Sequence, residues 1–129
     1  MNASVFEKLI CAQDSYVAYA HLKNEIAGFI VLIFGSICPD FPKLKLPVEL
    51  QKFYIKPKYH GKEVAMILMN HVISACKKRG YKNVWLSVFS GNRRAMYFYS
   101  KFGFLVVGQT NFIMGSETHL DNLMIAEIA

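Results

Sequence analysis

Residues Tyr54–Arg79 read YIKPKYHGKEVAMILMNHVISACKKR, and this stretch decides the fold. Its first residues end a strand predicted for Leu50–Ile55, which is rich in aromatic and β-branched residues. Pro57 stops the strand, because proline has no N–H to donate to a neighbouring strand. After Gly61 the apolar residues recur at three- and four-residue steps, and Gly80 follows as a C-terminal cap. A strand, a tight turn and a long helix are therefore predicted, with a buried helix face of Val64, Ile67, Leu68, Val72, Ala75 and Cys76.

The turn between this strand and this helix has the composition of an anion site. The first N–H groups of a helix have no intrahelical partner and lie at the positive end of its dipole, so phosphate binds there readily. Gly61 lets the backbone approach a ligand, and Ala65 keeps the first turn narrow. Lys56, Lys58 and Lys62 add positive charge. An ordinary strand–helix connection with solvated lysines explains the same residues equally well.

Length and composition indicate one folded domain, residues 1–129. Apolar residues make up 53% of the chain, which excludes a disordered protein. The net charge of +6 suits an acidic ligand such as a phosphorylated cofactor, and it also suits nucleic acid. The lysines are scattered, however, without the basic stripe and interleaved aromatics that nucleic-acid binding requires.

The cysteines and the apolar segments bear on where the protein works. Three cysteines without a framework spacing indicate reduced thiols and a cytoplasmic protein, and Cys76 is predicted to be a core residue. The sequence contains no Cys/His cluster of the kind that would indicate a metal site. The apolar run Ile26–Phe34 is too short to span a membrane, and Met1–Ile10 carries no signal-peptide pattern.

The first half of the chain predicts a short helix and then a hairpin. Ser4 and Glu7 have the spacing of a capping box, which favours a helix to about Gln13. Two strands, Tyr16–Leu22 and Ile26–Phe34, flank a turn at Asn24. Residues 36–46 contain two prolines and are predicted to be a loop.

The second half predicts a strand, a helix and further strands. Lys82–Ser90 is an apolar strand, parallel to the earlier one because a helix connects the two. Asn92 caps a second helix, Arg93–Phe102, which Gly103 ends. A strand over 104–109, a loop, and a closing hairpin with arms at 112–115 and 119–128 complete one mixed α/β sheet whose open edge is able to support a homodimer.

Two segments resemble the GNAT superfamily of N-acetyltransferases. The segment ELQKFYIKPKYHGKEVAMILM is similar to the family's acetyl-CoA motif, a strand, a Q/R-x-x-G-x-G/A turn and a helix. The segment NVWLSVFSGNRRAMYFYSKFGF resembles its N-x-x-A-x-x-F-Y-x-K-x-G-F helix. Residues 112–124 are similar to the ending of the spermidine/spermine-type (polyamine) branch. The resemblance covers about Tyr16–Ile128 and implies a mixed, mostly antiparallel sheet flanked by helices, with two parallel strands that splay apart.

The resemblance also implies where acetyl-CoA binds as a co-substrate. The turn would hold the pyrophosphate, the strand end would hydrogen-bond pantetheine beside the strand Trp85–Val88, and Asn92 would contact the CoA arm while also capping its helix. The cofactor-binding residues implied in this way are Phe53, Tyr54, Ile55, His60, Gly61, Lys62, Glu63, Val64, Ala65, Asn92 and Tyr99.

Two residues would do the chemistry, a direct attack of an amine on the thioester. Tyr99 matches the family tyrosine that protonates the departing thiolate, and core packing is its alternative role. Glu49 is the candidate base, because the family often places a glutamate on this strand; an exposed strand-end glutamate is the other interpretation. His119 and His60 could also take protons, although a role in the turn is favoured for His60. The acceptor would be a primary amine of a small molecule or a peptide.

The chain departs from the family pattern at two places. Glu63 stands where the family has a glycine, so its carboxylate is expected near the pyrophosphate. The family's first strand and two helices, which help to form the acceptor site, are not predicted before Tyr16, where only a short helix is expected. A catalytically weakened GNAT-fold binding module is therefore the alternative to an active N-acetyltransferase.

Overall fold

The computed structural model describes residues 3–10, 14–61 and 63–128. It contains seven strands and two α-helices, and a short 3-10 turn, Pro57–Tyr59, precedes the first helix. In chain order the elements are β1 Ser4–Ile10, β2 Ser15–Leu22, β3 Glu25–Phe34, β4 Pro47–Ile55, α1 Val64–Lys78, β5 Asn83–Phe89, α2 Arg93–Ser100, β6 Leu105–Met114 and β7 Glu117–Glu127. Within these described residues no helix is long and apolar enough to cross a membrane.

The strands form one sheet in the order β1-β2-β3-β4-β5-β7-β6. Among the described strands, β4 and β5 pair in parallel and every other neighbouring pair is antiparallel. Helix α1 connects β4 to β5, as a parallel crossover requires. The mixed, mostly antiparallel sheet predicted from the sequence is confirmed.

The prediction for the N-terminal residues is wrong. Ser4–Ile10 is a strand that pairs with Ser15–His21 of β2, where the sequence predicted a helix and no family-type first strand. A helix of about ten residues is marginal by itself, whereas an adjacent strand offers a full ladder of hydrogen bonds, so pairing overrides the Ser4/Glu7 capping signal. In the part of the chain that is described, no helix precedes β2; residues 11–13 of the predicted helix lie outside that part.

The prediction for residues 105–114 is also wrong in detail. A loop was expected after Gln109, but β6 runs unbroken from Leu105 to Met114 against β7. The register shifts between Val106 and Gly108, so one extra residue bulges out and the strand continues. The short hairpin turn then follows at Gly115, whose φ is +62°.

The main core lies between the sheet and the helices. Helix α1 buries Val64, Leu68, Met69, Val72, Ala75 and Cys76. This is the predicted face, except that Met69 is buried and Ile67 is only half-buried. Burial raises the pKa of the Cys76 thiol to about 12, so the predicted core role of this cysteine is confirmed.

A smaller apolar cluster lies under the loop that joins β3 to β4. Trp85 of β5 packs there with Cys38, Leu123 and Phe41. The Trp85 indole N–H donates to the carbonyl of Ser36 at 2.9 Å, which ties the loop to the sheet. The loop predicted for 36–46 is confirmed, and it lies beside the start of the parallel pair.

The two parallel strands stay paired only at their beginnings. The ladder has three pairs, Pro47–Asn83, Val48–Val84 and Glu49–Trp85, although both strands continue well beyond it. At the same level the β3–β4 register shifts between Val31 and Leu32, which leaves one extra residue, Gln51, in β4. A bulge bends a strand and increases its twist, so it explains why β4 leaves β5 just after Glu49.

Gly28 is required where β3 passes the far end of β4. A Cβ built there would lie 2.5 Å from the carbonyl oxygen of Tyr54 and 2.8 Å from Cδ1 of Ile55. We expect Gly28→Ala to lower the free energy of unfolding by about 1–3 kcal/mol, because the backbone contact cannot relax freely. Gly108→Ala is the control, since its Cβ would meet ordinary contacts of 3.7 and 3.9 Å. Urea unfolding of both variants tests this, and equal stabilities would contradict it.

Candidate functional site

A cavity of about 560 Å³ opens where β4 and β5 separate. The ends of the two strands, the turn before α1 and one face of α2 enclose it. Among the described residues, two cations, Arg94 and Lys101, line this cavity, and no carboxylate does. Its lining residues are Phe53, Ile55, Tyr59, His60, Gly61, Ala65, Met66, Val88, Asn92, Arg94, Ala95, Tyr97, Phe98, Tyr99 and Lys101.

The separation of the strands leaves backbone groups available beside the cavity. On its β5 side, β4 has no ladder partner from Leu50 to Ile55, and β5 has none on its β4 side from Leu86 to Phe89. Backbone N–H and C=O groups need partners when they are covered, so this edge suits a ligand with amide groups of its own. Pantetheine, with two amides, fits that requirement.

The turn before α1 forms one end of the cavity. Gly61 has a φ of +74°, a conformation that favours glycine, and it lines the cavity together with Ala65. The amide of Ile67 makes the first helical bond, to the carbonyl of Glu63 at 3.0 Å. No partner is found among the described residues for the preceding N–H groups of the first turn, so an anion could accept from them.

Glu25 holds this turn from the β2–β3 hairpin. Its carboxylate accepts a hydrogen bond from Tyr59 and pairs with Lys58 and, at 3.2 Å, with Lys56. Lys58, then Tyr59 and Lys56, lower the pKa of Glu25 to about 2. Lys56 and Lys58, which the sequence assigned to the anion site, are thus engaged by Glu25. The third predicted lysine, Lys62, lies outside the described residues.

His60 connects the turn to the start of α2. Its Nε2 lies 2.8 Å from the carbonyl oxygen of Ile55, and its Nδ1 lies 3.2 Å from Nη1 of Arg94. Both His60 and Arg94 line the cavity. Arg94 was not among the residues singled out from the sequence.

Tyr99 lies on the buried face of α2, with its ring between Phe53, Phe98 and Phe104. No hydrogen bond to its hydroxyl is found among the described residues, and every fully buried side-chain N or O atom there has a partner. The hydroxyl therefore keeps contact with the cavity that Tyr99 lines. Burial raises the pKa of Tyr99 to about 12, so the phenol stays protonated at neutral pH.

Asn92 caps α2 and also lines the cavity. Its Oδ1 accepts a hydrogen bond from the amide of Ala95 at 3.2 Å, as predicted. Its side-chain N–H₂ group has no partner in the described part of the chain and could donate to a ligand. The two roles assigned to Asn92 from the sequence are therefore compatible in space.

Glu49 lies at the last rung of the parallel ladder, opposite Trp85. Its neighbours Val48 and Leu50 are buried in the main core, so alternation along the strand turns Glu49 to the opposite face of the sheet. Its Oε1 accepts a hydrogen bond from the hydroxyl of Ser36 at 2.8 Å. Glu49 does not line the cavity; it stands where the gap between the strands opens.

Three other residues predicted for the cofactor site also lie outside the cavity lining. Glu63 is exposed, and its side chain makes no capping hydrogen bond. Val64 is fully buried in the main core. Tyr54 is half-exposed and packs against Phe29.

The comparisons with known proteins agree with this geometry. The sequence profile described as "Acetyltransferase (GNAT) family" matches residues 3–104. An uncharacterized N-acetyltransferase of Mycobacterium tuberculosis is 36% identical over 128 residues, which are 99% of this chain and 77% of that protein.

Solved structures show the same fold. A GNAT family acetyltransferase from Elizabethkingia anophelis with acetyl-CoA bound has a TM-score of 0.70 at 18% identity, over 88% of this chain and 76% of that one. The PaiA N-acetyltransferase from Thermoplasma acidophilum, in complex with coenzyme A, has a TM-score of 0.67 at 26% identity, over 88% and 60%. The chain belongs to the acetyltransferase (GNAT) family and is an acetyl-CoA-dependent N-acetyltransferase.

Proposed function

We propose that this protein transfers the acetyl group of acetyl-CoA to a primary amine of a small molecule or a peptide, by direct attack of the amine on the thioester. The observation that carries this proposal is the cavity at the open end of the parallel pair. It combines unpaired strand edges, a helix N-terminus and, as far as the chain is described, two cations without a carboxylate. This set of groups matches a ligand that is an amide chain at one end and a polyphosphate at the other.

We assign the phosphate end to the turn of His60, Gly61, Ala65 and the first amides of α1. The pantetheine arm would run along the free edge of β4 from Phe53 to Ile55, with Asn92 at its side. Acetyl-CoA supplies the acetyl thioester; the protein orients it so that the sulfur faces Tyr99. Support comes from one cavity, whose lining includes Phe53, Ile55, His60, Gly61, Ala65, Asn92 and Tyr99.

Tyr99 is proposed to donate its hydroxyl proton to the sulfur as the thiolate departs. The hydroxyl has no protein partner among the described residues, and burial keeps it protonated. A hydrogen bond that forms as charge develops on sulfur stabilises the transition state more than the ground state. The ring contacts with Phe53, Phe98 and Phe104 fix its direction.

Glu49 is proposed to take the proton that the attacking amine must lose. It is placed on the face opposite the helices, at the vertex of the splayed strands. An amine that enters from that face would pass Glu49 before it reaches the thioester. The hydrogen bond from Ser36 holds the carboxylate in place.

A GNAT-fold module that binds acetyl-CoA weakly and no longer turns over is the second candidate. Glu63 at the start of α1 favours it, because a carboxylate near the pyrophosphate opposes binding. Glu63 is exposed and does not line the cavity, which favours the active enzyme instead.

Release of free thiol from acetyl-CoA, measured with a panel of amines, tests the proposed function. Polyamines come first in the panel, because residues 112–124 resemble the polyamine branch, and N-terminal peptides follow. We expect one class to raise thiol release far above the rate without acceptor. Tight acetyl-CoA binding without amine-dependent release by any class would support the binding module.

We also propose a homodimer and a cytoplasmic location. The edge strand β6 carries no charged residue and exposes Leu105 and Ile113, and an antiparallel pairing with a second copy would cover this edge. Light scattering should show a dimer that the double variant Leu105→Lys/Ile113→Lys converts to a monomer; a monomeric wild type contradicts the dimer.

The cytoplasmic location is supported by Cys38 and Cys76, which are unpaired, as is usual in a reducing compartment. Cell fractionation would test this location.

A further inference from the structure

The tautomer of His60 is decided by its two partners. The carbonyl oxygen of Ile55 can only accept a hydrogen bond, so Nε2 of His60, 2.8 Å away, carries the proton. The guanidinium of Arg94 can only donate, so Nδ1 of His60, 3.2 Å away, is the unprotonated acceptor. His60 is therefore neutral, and each ring nitrogen is engaged. It holds Arg94 and is not available as a base.

Arg94 keeps most of its hydrogen-bonding capacity for another partner. A guanidinium has five N–H donors, and the bond to His60 uses one of them. Within the described residues Arg94 has no ion pair with a carboxylate. A planar guanidinium with free donors binds phosphate with two parallel hydrogen bonds.

The location of Arg94 matches that chemistry. It lies in the first turn of α2 and lines the cavity, together with Gly61 and Ala65 at the start of α1. Arg93, the next residue along the chain, has the same charge but does not line the cavity. The local charge around the two arginines is thus similar, while only one of them faces the site.

We propose that Arg94 binds a phosphate group of acetyl-CoA beside the α1 turn, and that His60 is the positioning residue that aims it. This inference deepens the proposed function and rests on it. The phosphate would then be held between backbone amides of α1 and the guanidinium of α2.

The first experiment is calorimetry of coenzyme A with the wild type, Arg94→Gln and Arg93→Gln. We expect the Kd of Arg94→Gln to rise about tenfold, as for a lost charged hydrogen bond, and that of Arg93→Gln to change less than about twofold. Equal effects of the two variants, or no effect of Arg94→Gln, would overturn the proposal. A wild type that does not bind coenzyme A would overturn the proposed function itself.

Coenzyme A without its 3′-phosphate identifies the phosphate that is bound. If Arg94 binds the 3′-phosphate, the wild type and Arg94→Gln should bind this analogue equally well. If it binds the pyrophosphate, the tenfold difference should remain with the analogue and vanish with pantetheine. A difference that persists with pantetheine would show a structural effect and contradict phosphate binding.

The positioning role of His60 is tested by two substitutions. The amide of His60→Gln offers a donor for Ile55 and an acceptor for Arg94, so we expect a Kd close to that of the wild type. His60→Phe offers neither and should raise the Kd several-fold, but not in the Arg94→Gln background. Additive effects of His60→Phe and Arg94→Gln, or a His60→Gln variant as weak as His60→Phe, would overturn the positioning role.

Discussion

Replacement of Tyr99 by phenylalanine should lower kcat about 100-fold and leave the KM for acetyl-CoA within about twofold. The substitution removes one oxygen atom and keeps the ring that packs against Phe53, Phe98 and Phe104. The lost hydroxyl makes no hydrogen bond within the described protein, so its removal affects only the interaction with the bound thioester. A change in kcat with little change in KM is the mark of an interaction made in the transition state.

The high pKa of Tyr99 predicts how stability and kcat of the wild type depend on pH. Burial raises the pKa of Tyr99 to about 12 from its ordinary value of 10, so the fold favours the neutral phenol. Its contribution to stability is full below pH 10 and is lost as the pH rises through about 12. The pH profile of kcat in the wild type should therefore show no transition caused by ionisation of Tyr99 below pH 10.

Steady-state thiol release from acetyl-CoA measures both constants. Tyr81→Phe is the matched control, because Tyr81 stacks on Phe34 and does not line the cavity, and its kcat should equal that of the wild type. An unchanged kcat in Tyr99→Phe would remove Tyr99 as the proton donor and leave it as a packing residue.

Glu49→Gln should lower kcat by about 10²-fold near neutral pH. An amine with a pKa of about 10.4 is almost fully protonated there, and a base must remove its proton before it attacks. Glutamine keeps the size of the side chain and its acceptor for Ser36, so the sheet is not disturbed. The deficit should shrink as the pH approaches the pKa of the amine, because the free amine then needs less help.

Single-turnover or steady-state rates from pH 7 to 10 test this dependence. Glu127→Gln is the control, since this exposed residue at the end of β7 lies at the opposite end of the β5–β7 ladder from the splay and should leave the profile unchanged. If kcat of Glu49→Gln is lowered by the same factor at every pH in this range, the result argues against a base role. If kcat is not lowered at all, Glu49 has only a structural role.

Local signals in the sequence were sufficient for the elements that form the cavity. The apolar spacing of α1, the Asn92 cap and the positive φ of Gly61 and Gly103 each depend on residues only a few positions apart. The resemblance to the family added the splayed strands and the place of Tyr99 beside the cavity, while the role of Tyr99 as an acid stays a prediction. These parts of the site could be predicted because chain-local physics and one short motif determine them.

The parts that failed depend on contacts between distant segments. The strand β1 exists because β2 offers it a partner, which the Ser4/Glu7 capping signal does not reveal. The engagement of Lys56 and Lys58 by Glu25 joins a hairpin to a turn some thirty residues away. Neither could be found from the pattern of neighbouring residues.

Arg94 is a cavity residue that a closer use of helical spacing would have found. Arg94, Phe98 and Lys101 recur at i, i+4 and i+7 along α2, and all three line the cavity. Arg93 is off that face. The sequence shows two adjacent arginines, and only the helical phase separates them.

Calorimetry of acetyl-CoA with the wild type and Glu63→Gly tests the central claim most directly, namely that this cavity binds acetyl-CoA as the sequence stands. Glu63 is exposed and does not line the cavity, so we expect one molecule bound per chain, with Kd values for the two proteins within about threefold. Binding by Glu63→Gly with none by the wild type would contradict the account, because the site would then be built but switched off in this protein.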